Sequence, residues 1–440
     1  MQTIKLGKRQ EFIQELFKGS RKLRYAYLKY FYPTQYHIPE KSDIDLIIDK
    51  KEIREWKRLI QDSNYVKRVR FREKSFALYA EIFFEDGSFL EMDLIHACKW
   101  KFNVFLQTEE ILEFSNLNLE GIKIASLQHS FAYLSLFYTL NSSEIPQKYI
   151  DFYHQLDGQK KAEVRQYIQT KYQLEELGDN IFDLLPHRKK LIARIQNFSD
   201  NQGWTGLLLK ASSFRDRLKD PGMVITFSGV DGAGKSTILE ETRKILAEKY
   251  RKEIVLLRQR PSILPILSSY KYGKQEAEQK AANTLPRTGT NKSKISSFVR
   301  FMYYYCDYVL GQFYVYLKHS LKGHIILYDR YYFDYIVDSK RANIVLPPAF
   351  IKALYRFVFK PDLNVLLYAD PELILARKQE LSAEDIRKLT TDFKALFGEF
   401  DRKHKASTYL LLNNVVLEES LESIENAYLE IAGEESEKHD

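Results

Sequence analysis

A chain of 440 residues with 67 Lys and Arg against 59 Asp and Glu, a net charge of +8, is long enough for two or three domains with buried cores. Its 45% hydrophobic and 29% charged residues exclude a disordered or fibrous chain, and no apolar run approaches the ~20 residues that span a bilayer. Two cysteines, Cys98 and Cys306, exclude a disulfide framework; no Cys/His cluster has zinc spacing, the first residues lack the apolar core of a signal peptide, and a cytoplasmic protein is expected. The positive charge suits anionic small molecules or nucleic acid, and with no arginine-rich tract, zinc motif or RNP motif the small molecule is preferred.

In chain order, residues 8–30 predict a helix, 43–48 a short strand and 51–62 a helix. Residues 76–84 and 89–95 predict two strands joined by Glu85-Asp86-Gly87-Ser88, a hairpin signal. From 125 to 213 the pattern is mainly helical, with 131–140 as a buried element. Charged residues followed by Pro221-Gly222 mark a linker. Beyond it, strands at 223–228, 254–258, 324–328, 363–369 and 408–413 alternate with helices at 235–251, 295–320, 348–357, 371–403 (with a break) and 416–432. That alternation predicts an α/β unit, a parallel five-stranded sheet with flanking helices. Residues 270–294 are polar, carry Gly273, Pro286 and Gly289, and predict a long mobile loop, either a disordered segment or a functional lid. The expected organisation is an α+β domain at 1–124, a helical region at 125–215 packed with it, and an α/β domain at 222–440.

Residues 229–237 read Gly-Val-Asp-Gly-Ala-Gly-Lys-Ser-Thr directly after the apolar run 223–228, a complete G-x-x-x-x-G-K-[ST] loop between strand and helix. At average residue usage about 0.02 such matches arise by chance in a chain of this length, so a nucleoside triphosphate partner is expected. Glycines let the backbone curl around phosphates, and loop amides and the helix start face the anion. Gly229, Gly232, Ala233, Gly234, Lys235, Ser236 and Thr237 are the expected ATP-binding residues. Lys235 can reach the β- and γ-phosphates, and the Ser236 hydroxyl can bind Mg²⁺.

Three further segments fall in order after the loop: Arg258-Gln-Arg-Pro261 at a strand end, Asp329-Arg330-Tyr331 at another, and 361–373 leading from a strand into a helix. With the loop, they make residues 222–432 similar to the thymidylate kinase family of nucleoside monophosphate kinases. The resemblance implies a P-loop NTPase fold, ATP and Mg²⁺, and an anionic acceptor. It casts Lys235, Asp329, Arg330 and Asp231 as catalytic, Asp329 holding Mg²⁺ through water, Arg330 holding an acceptor or transferring phosphate, and Asp231 contacting the acceptor sugar or lying near its phosphate. Arg258, Arg260 and Tyr331 become candidates for acceptor binding, and Arg377, Lys378 and Arg387 for a lid. It also raises a homodimer as a possibility. The acceptor end departs from the family: Arg258-Gln-Arg-Pro261 stands for Arg-Glu-Pro, Asp307-Tyr308 for an Asp-Arg pair, and 376–380 lacks an arginine-rich repeat. An acceptor other than thymidylate is therefore expected. Tyr303, Tyr304, Tyr305 and Tyr308 can stack a base or sugar, or pack into the core.

A second constellation lies at Asp43-Ile-Asp45, with Asp93 on a later strand. In a strand Asp43 and Asp45 point the same way, and adjacent carboxylates need a cation between them, for which Mg²⁺ is suited. About one D-x-D is expected by chance in such a chain; the flanking apolar residues and Asp93 strengthen the pattern, which resembles the nucleotidyltransferase superfamily. That resemblance implies metal-dependent nucleotidyl transfer with Asp43, Asp45 and Asp93 as ligands. Gly19-Ser20, however, lies 23 residues before Asp43, too far for that family's usual loop. Three functions stay open: a kinase fused to a nucleotidyltransferase; a kinase, even a genuine thymidylate kinase, with a non-catalytic binding or regulatory module; and a P-loop ATPase switch acting on nucleic acid.

Overall fold

The computed structural model describes residues 7–219, 221–261, 263–264 and 293–435, so the expected loop at 270–294 lies, but for its last two residues, outside the described residues. The chain divides into two compact units, one of Met1–Lys219 with Ala432–Asp440, the other of Asp220–Ile431.

In the first unit a helix runs over Lys8–Gly19, and the strands are β1 (Tyr25–Tyr27), β2 (Ile44–Ile48), β3 (Val66–Glu73), β4 (Ala77–Phe84), β5 (Phe89–Ile95), the β6 (Cys98–Trp100) and β7 (Asn103–Leu106) ribbon, β8 (Asn116–Leu117) and β9 (Lys123–Ile124). One sheet is ordered β15-β3-β4-β5-β2-β1-β9-β8, where β15 is Glu434–Glu435. The C-terminal end of the 222–440 span therefore groups with the first unit. Strand alternation sends successive residues to opposite faces, and both faces are buried here. Leu46, Met92 and Ile82 pack against Phe12, Leu16 and Trp56 of Lys8–Gly19 and Ile53–Gln61. Ile47, Ile95 and Ala77 join Phe131 and Leu134 of Leu127–Asn141 in a second core that includes residues of Gln147–Gln155, Gly158–Tyr172 and Arg188–Gln196.

One expectation fails here, and one strand was not foreseen. The helix predicted over 8–30 ends at Gly19; Tyr25–Tyr27 pairs antiparallel with β2 and is fully buried, so sheet pairing overrides local helical pattern. Strand β3 was hidden by its charges, Val66-Lys-Arg-Val-Arg-Phe-Arg-Glu73, which leave only Val66 and Val69 buried. The hairpin expected around 85–88 forms, with Gly87 in the left-handed region.

The second unit holds β10 (Val224–Gly229), β11 (Ile254–Arg258), β12 (Ile325–Asp329), β13 (Leu363–Tyr368) and β14 (Thr408–Asn413), in the order β11-β12-β10-β13-β14 and all parallel. Buried Thr226 donates to Asn364 Oδ1 at 3.0 Å, tying β10 to β13. With β10 central and the chain crossing to either side of it, the crevice at the strands' carboxyl ends opens where β10 meets β12 and β13. The predicted helix at 371–403 is broken into Pro371–Arg377 and Ala383–Lys403, the latter capped by Ser382. A short helix, Tyr332–Val337, was not expected; its Phe333 packs on Tyr355, Phe397 and Phe400. Among the described residues no helix is long and apolar enough to cross a membrane.

Phe131 is fully buried among Phe31, Phe152, Tyr153 and Phe182. Phe131→Ala should destabilise the first unit by about 3–5 kcal/mol, read as an earlier urea transition, while the unfolding of the second unit stays in place.

Candidate phosphate site and strand carboxylates

The apolar strand β10 delivers the loop to the sheet's carboxyl edge, and two glycines there are dictated by contact. A Cβ on Gly229 (φ 137°) would stand 2.1 Å from the Leu367 carbonyl oxygen, and one on Gly234 (φ 87°) 2.3 Å from Asn414 Nδ2. Helix Lys235–Lys244 starts directly after Gly234, so its first amides lack helical acceptors and face the loop. The Ser236 and Thr237 side chains are exposed at that start. Lys235 is buried and its Nζ donates to the carbonyl oxygens of Gly229 (2.8 Å) and Val230 (2.7 Å), within the loop it would share with phosphates. Burial first, and Arg330 second, push its pKa down to about 7.

Around the loop runs a buried charged network. Arg330, in the left-handed region at φ 73°, ion-pairs with Asp231 and Asp334 and donates to the Gly229 carbonyl. Ser228 donates to Asp334 at 2.9 Å, and Arg341 takes the other carboxylate oxygen of Asp231. Burial opposes the Arg330 charge, but Asp334 and Asp231 more than offset it and its pKa is raised. In this structure the Arg330 guanidinium is held by Asp231, Asp334 and the Gly229 carbonyl. Asp329 ends β12, opposite Phe227 of β10, and is half-buried. An exposed hydroxyl at Ser236 and a carboxylate at Asp329 are hard oxygen donors that suit Mg²⁺.

The expected acceptor residues separate. Arg258 is exposed, with Nε 3.9 Å from Asp329. Arg260 is buried against Asp307, donates to the Leu264 carbonyl and lies 5.0 Å over the Tyr304 ring. Tyr331 is fully buried, its hydroxyl donating to Phe359 O (2.7 Å) and bonded to Gln312, so the structure places it in the core and not on an acceptor surface. Tyr308 is likewise core, packed edge-on against Tyr331, Tyr332 and Tyr335. Of the lid candidates, exposed Arg377 reaches the loop: its Nη1 would be 3.8 Å from a Cβ on Gly234. Lys378 pairs with Glu380, and Arg387 with Glu372. Sequence reasoning missed Asn414, which donates to the Ala233 carbonyl at 2.8 Å, and Arg341; no motif signals either, because both arrive through tertiary packing.

In the first unit β2 and β5 run parallel with Asp45 opposite Asp93, so the two acids are neighbours as expected. Asp43 precedes β2 and is exposed. Buried Asp45 receives Lys29 Nζ at 2.7 Å. Burial opposes the Lys29 charge, but Asp45 more than offsets it and raises its pKa. Burial, then Asp45 and Glu91, push Asp93 up to about 8. Among the described residues no three His, Cys, Asp or Glu side chains converge as a metal site.

Because the Lys235 pKa lies near 7 in the free loop, below its ordinary 10.5, the ammonium is largely deprotonated at pH 8. A triphosphate favours the charged form and pulls the pKa back up. Nucleotide binding at pH 8 should therefore take up close to one proton, and fewer at pH 6.5 on account of Lys235. Calorimetry in buffers of different ionisation enthalpy reads this, and Lys235→Ala should abolish the uptake.

The family model for thymidylate kinase matches residues 227–424, from within β10 to the last helix, Leu417–Ala432. No curated protein matches the chain. The match supports a nucleotide-using kinase in the second unit, whose all-parallel five-stranded sheet is consistent with a P-loop kinase fold.

Proposed function

We propose that the second unit is a Mg-ATP-dependent phosphotransferase acting on an anionic small-molecule acceptor other than thymidylate. The carrying observation is Lys235 in its loop at the centre of the sheet, one strand from Asp329 and Arg330 at the end of β12. Phosphoryl transfer needs positioning and charge neutralisation more than covalent chemistry. The loop amides and Lys235 would hold the β- and γ-phosphates, Arg377 would lie beside them, and exposed Arg258, its Nε 3.9 Å from Asp329, is a cation that an acceptor anion could reach. Ser236 and Asp329 would hold Mg²⁺, which would supply positive charge to offset that of the phosphates. Against thymidylate stand three contacts: both Asp231 carboxylate oxygens engage arginines, Arg260 is committed to Asp307, and Tyr308 fills the core where the family resemblance leads one to expect an arginine.

For the first unit we favour a binding or regulatory module over metal-dependent nucleotidyl transfer, because Asp45 already holds the Lys29 ammonium. The kinase reading is tested by mass spectrometry of nucleotides after incubation with Mg-ATP and dTMP, with Lys235→Ala as control. The expected result is ATP binding without dTDP; dTDP formation lost in the control would make this a thymidylate kinase.

A further inference from the structure

The acids of the first unit present a charge problem that the chain solves by itself. Asp45 and Asp93 stand opposite each other on parallel strands, and Asp93 is also opposite Tyr79 on β4. Two neighbouring carboxylates away from bulk water require a cation or a proton. Two carboxylates completed by water are donors a divalent ion can use, and Asp43, outside the strand and exposed, adds no side chain to the pair. Arg72 of β3, paired with Glu81 and Glu91, also favours the charged form of Asp93, but the cation in contact with Asp45 comes from the strand next door. Strand β1 pairs with β2 so that Tyr27 is opposite Leu46, and the Leu28 N–H donates to the Asp45 carbonyl at 3.0 Å. Lys29 follows directly, tethered beside Asp45, with its ammonium 2.7 Å from the carboxylate. Tyr133 and Tyr149, both buried on the helical side, lie near the same charges.

We infer that Lys29 is the resident counter-cation of the Asp45–Asp93 pair and occupies the place a divalent ion would take, so that this unit keeps its strand acids without metal. The inference rests on the reading of the first unit as a module that does not perform metal-dependent transfer, and it adds the cause. A Mg²⁺ ion entering here would have to displace the Lys29 ammonium from Asp45, or two like charges would share one partly buried site.

The test is Mn²⁺ titration of the nucleotide-free full chain by electron paramagnetic resonance. Wild type should show no bound Mn²⁺ that Asp45→Asn removes. Lys29→Met keeps the stem and deletes the charge; it should gain one Mn²⁺ per chain, and Asp45→Asn in that background should abolish the gain. Lys29→Gln provides a second variant should the methionine chain not fold. An Asp45-dependent Mn²⁺ site in wild type would overturn both the inference and the module reading. Folded Lys29 variants that gain no Mn²⁺ would overturn the inference alone, since geometry and not Lys29 would then exclude the ion.

Discussion

At the carboxyl ends of β10 and β12, two arginines and two aspartates share one buried cluster, with Lys235 beside it. Charges removed from water are costly unless each finds partners of opposite sign, and here Arg330 pairs with both acids while Arg341 completes Asp231. The cluster sits where the polypeptide must turn sharply, after Gly229 and at Arg330, whose left-handed backbone is uncommon for a side chain of its size. The ion pairs hold both turns in register: Arg330 also donates to the Gly229 carbonyl, and Asn414 holds that of Ala233. The loop is thus shaped by contacts from three strands, and its lysine stays buried, where burial and Arg330 disfavour its charge.

The first unit meets the same physical requirement differently. Its sheet is buried on both faces, so polar residues pointing into it must be satisfied internally. Lys29 answers Asp45, and Arg72 answers Glu81 at 2.8 Å and Glu91 at 3.4 Å. In the second unit the balanced charges border the exposed Ser236 and Thr237 hydroxyls at a helix start. In the first, they border tyrosines and the core of the helical region. A resemblance in acid spacing therefore does not carry the chemistry with it; what matters is the cation that each acid already holds.

Much of this was legible in the sequence. The apolar runs of β10 to β14 and the loop's glycines encode local requirements that survive folding, and the parallel sheet follows from their alternation. Where tertiary pairing outweighed local pattern, reading failed: Tyr25–Tyr27 looks helical beside 8–19 yet belongs to a sheet, and β3 is too charged to look like a strand. Within the site, Arg260 and Asp307 stood in separate motifs, and only folding shows them as one buried pair. Arg341 and Asn414 lie in no motif at all. Tyr331 carried a polar handle that suggested ligand binding, but a buried tyrosine also needs hydrogen bonds, and Phe359 and Gln312 supply them.

Transfer of the γ-phosphoryl group to a small molecule, and not to water, is the outcome on which the account turns. The direct measurement is to incubate the protein with Mg-ATP labelled at the γ-phosphate and a protein-free extract of small metabolites, then separate the products. The account predicts label in a small anionic product, dependent on Mg²⁺ and lost in Lys235→Ala. Label appearing solely as inorganic phosphate, at a rate raised by added DNA or RNA, would contradict it and identify a nucleotide switch instead.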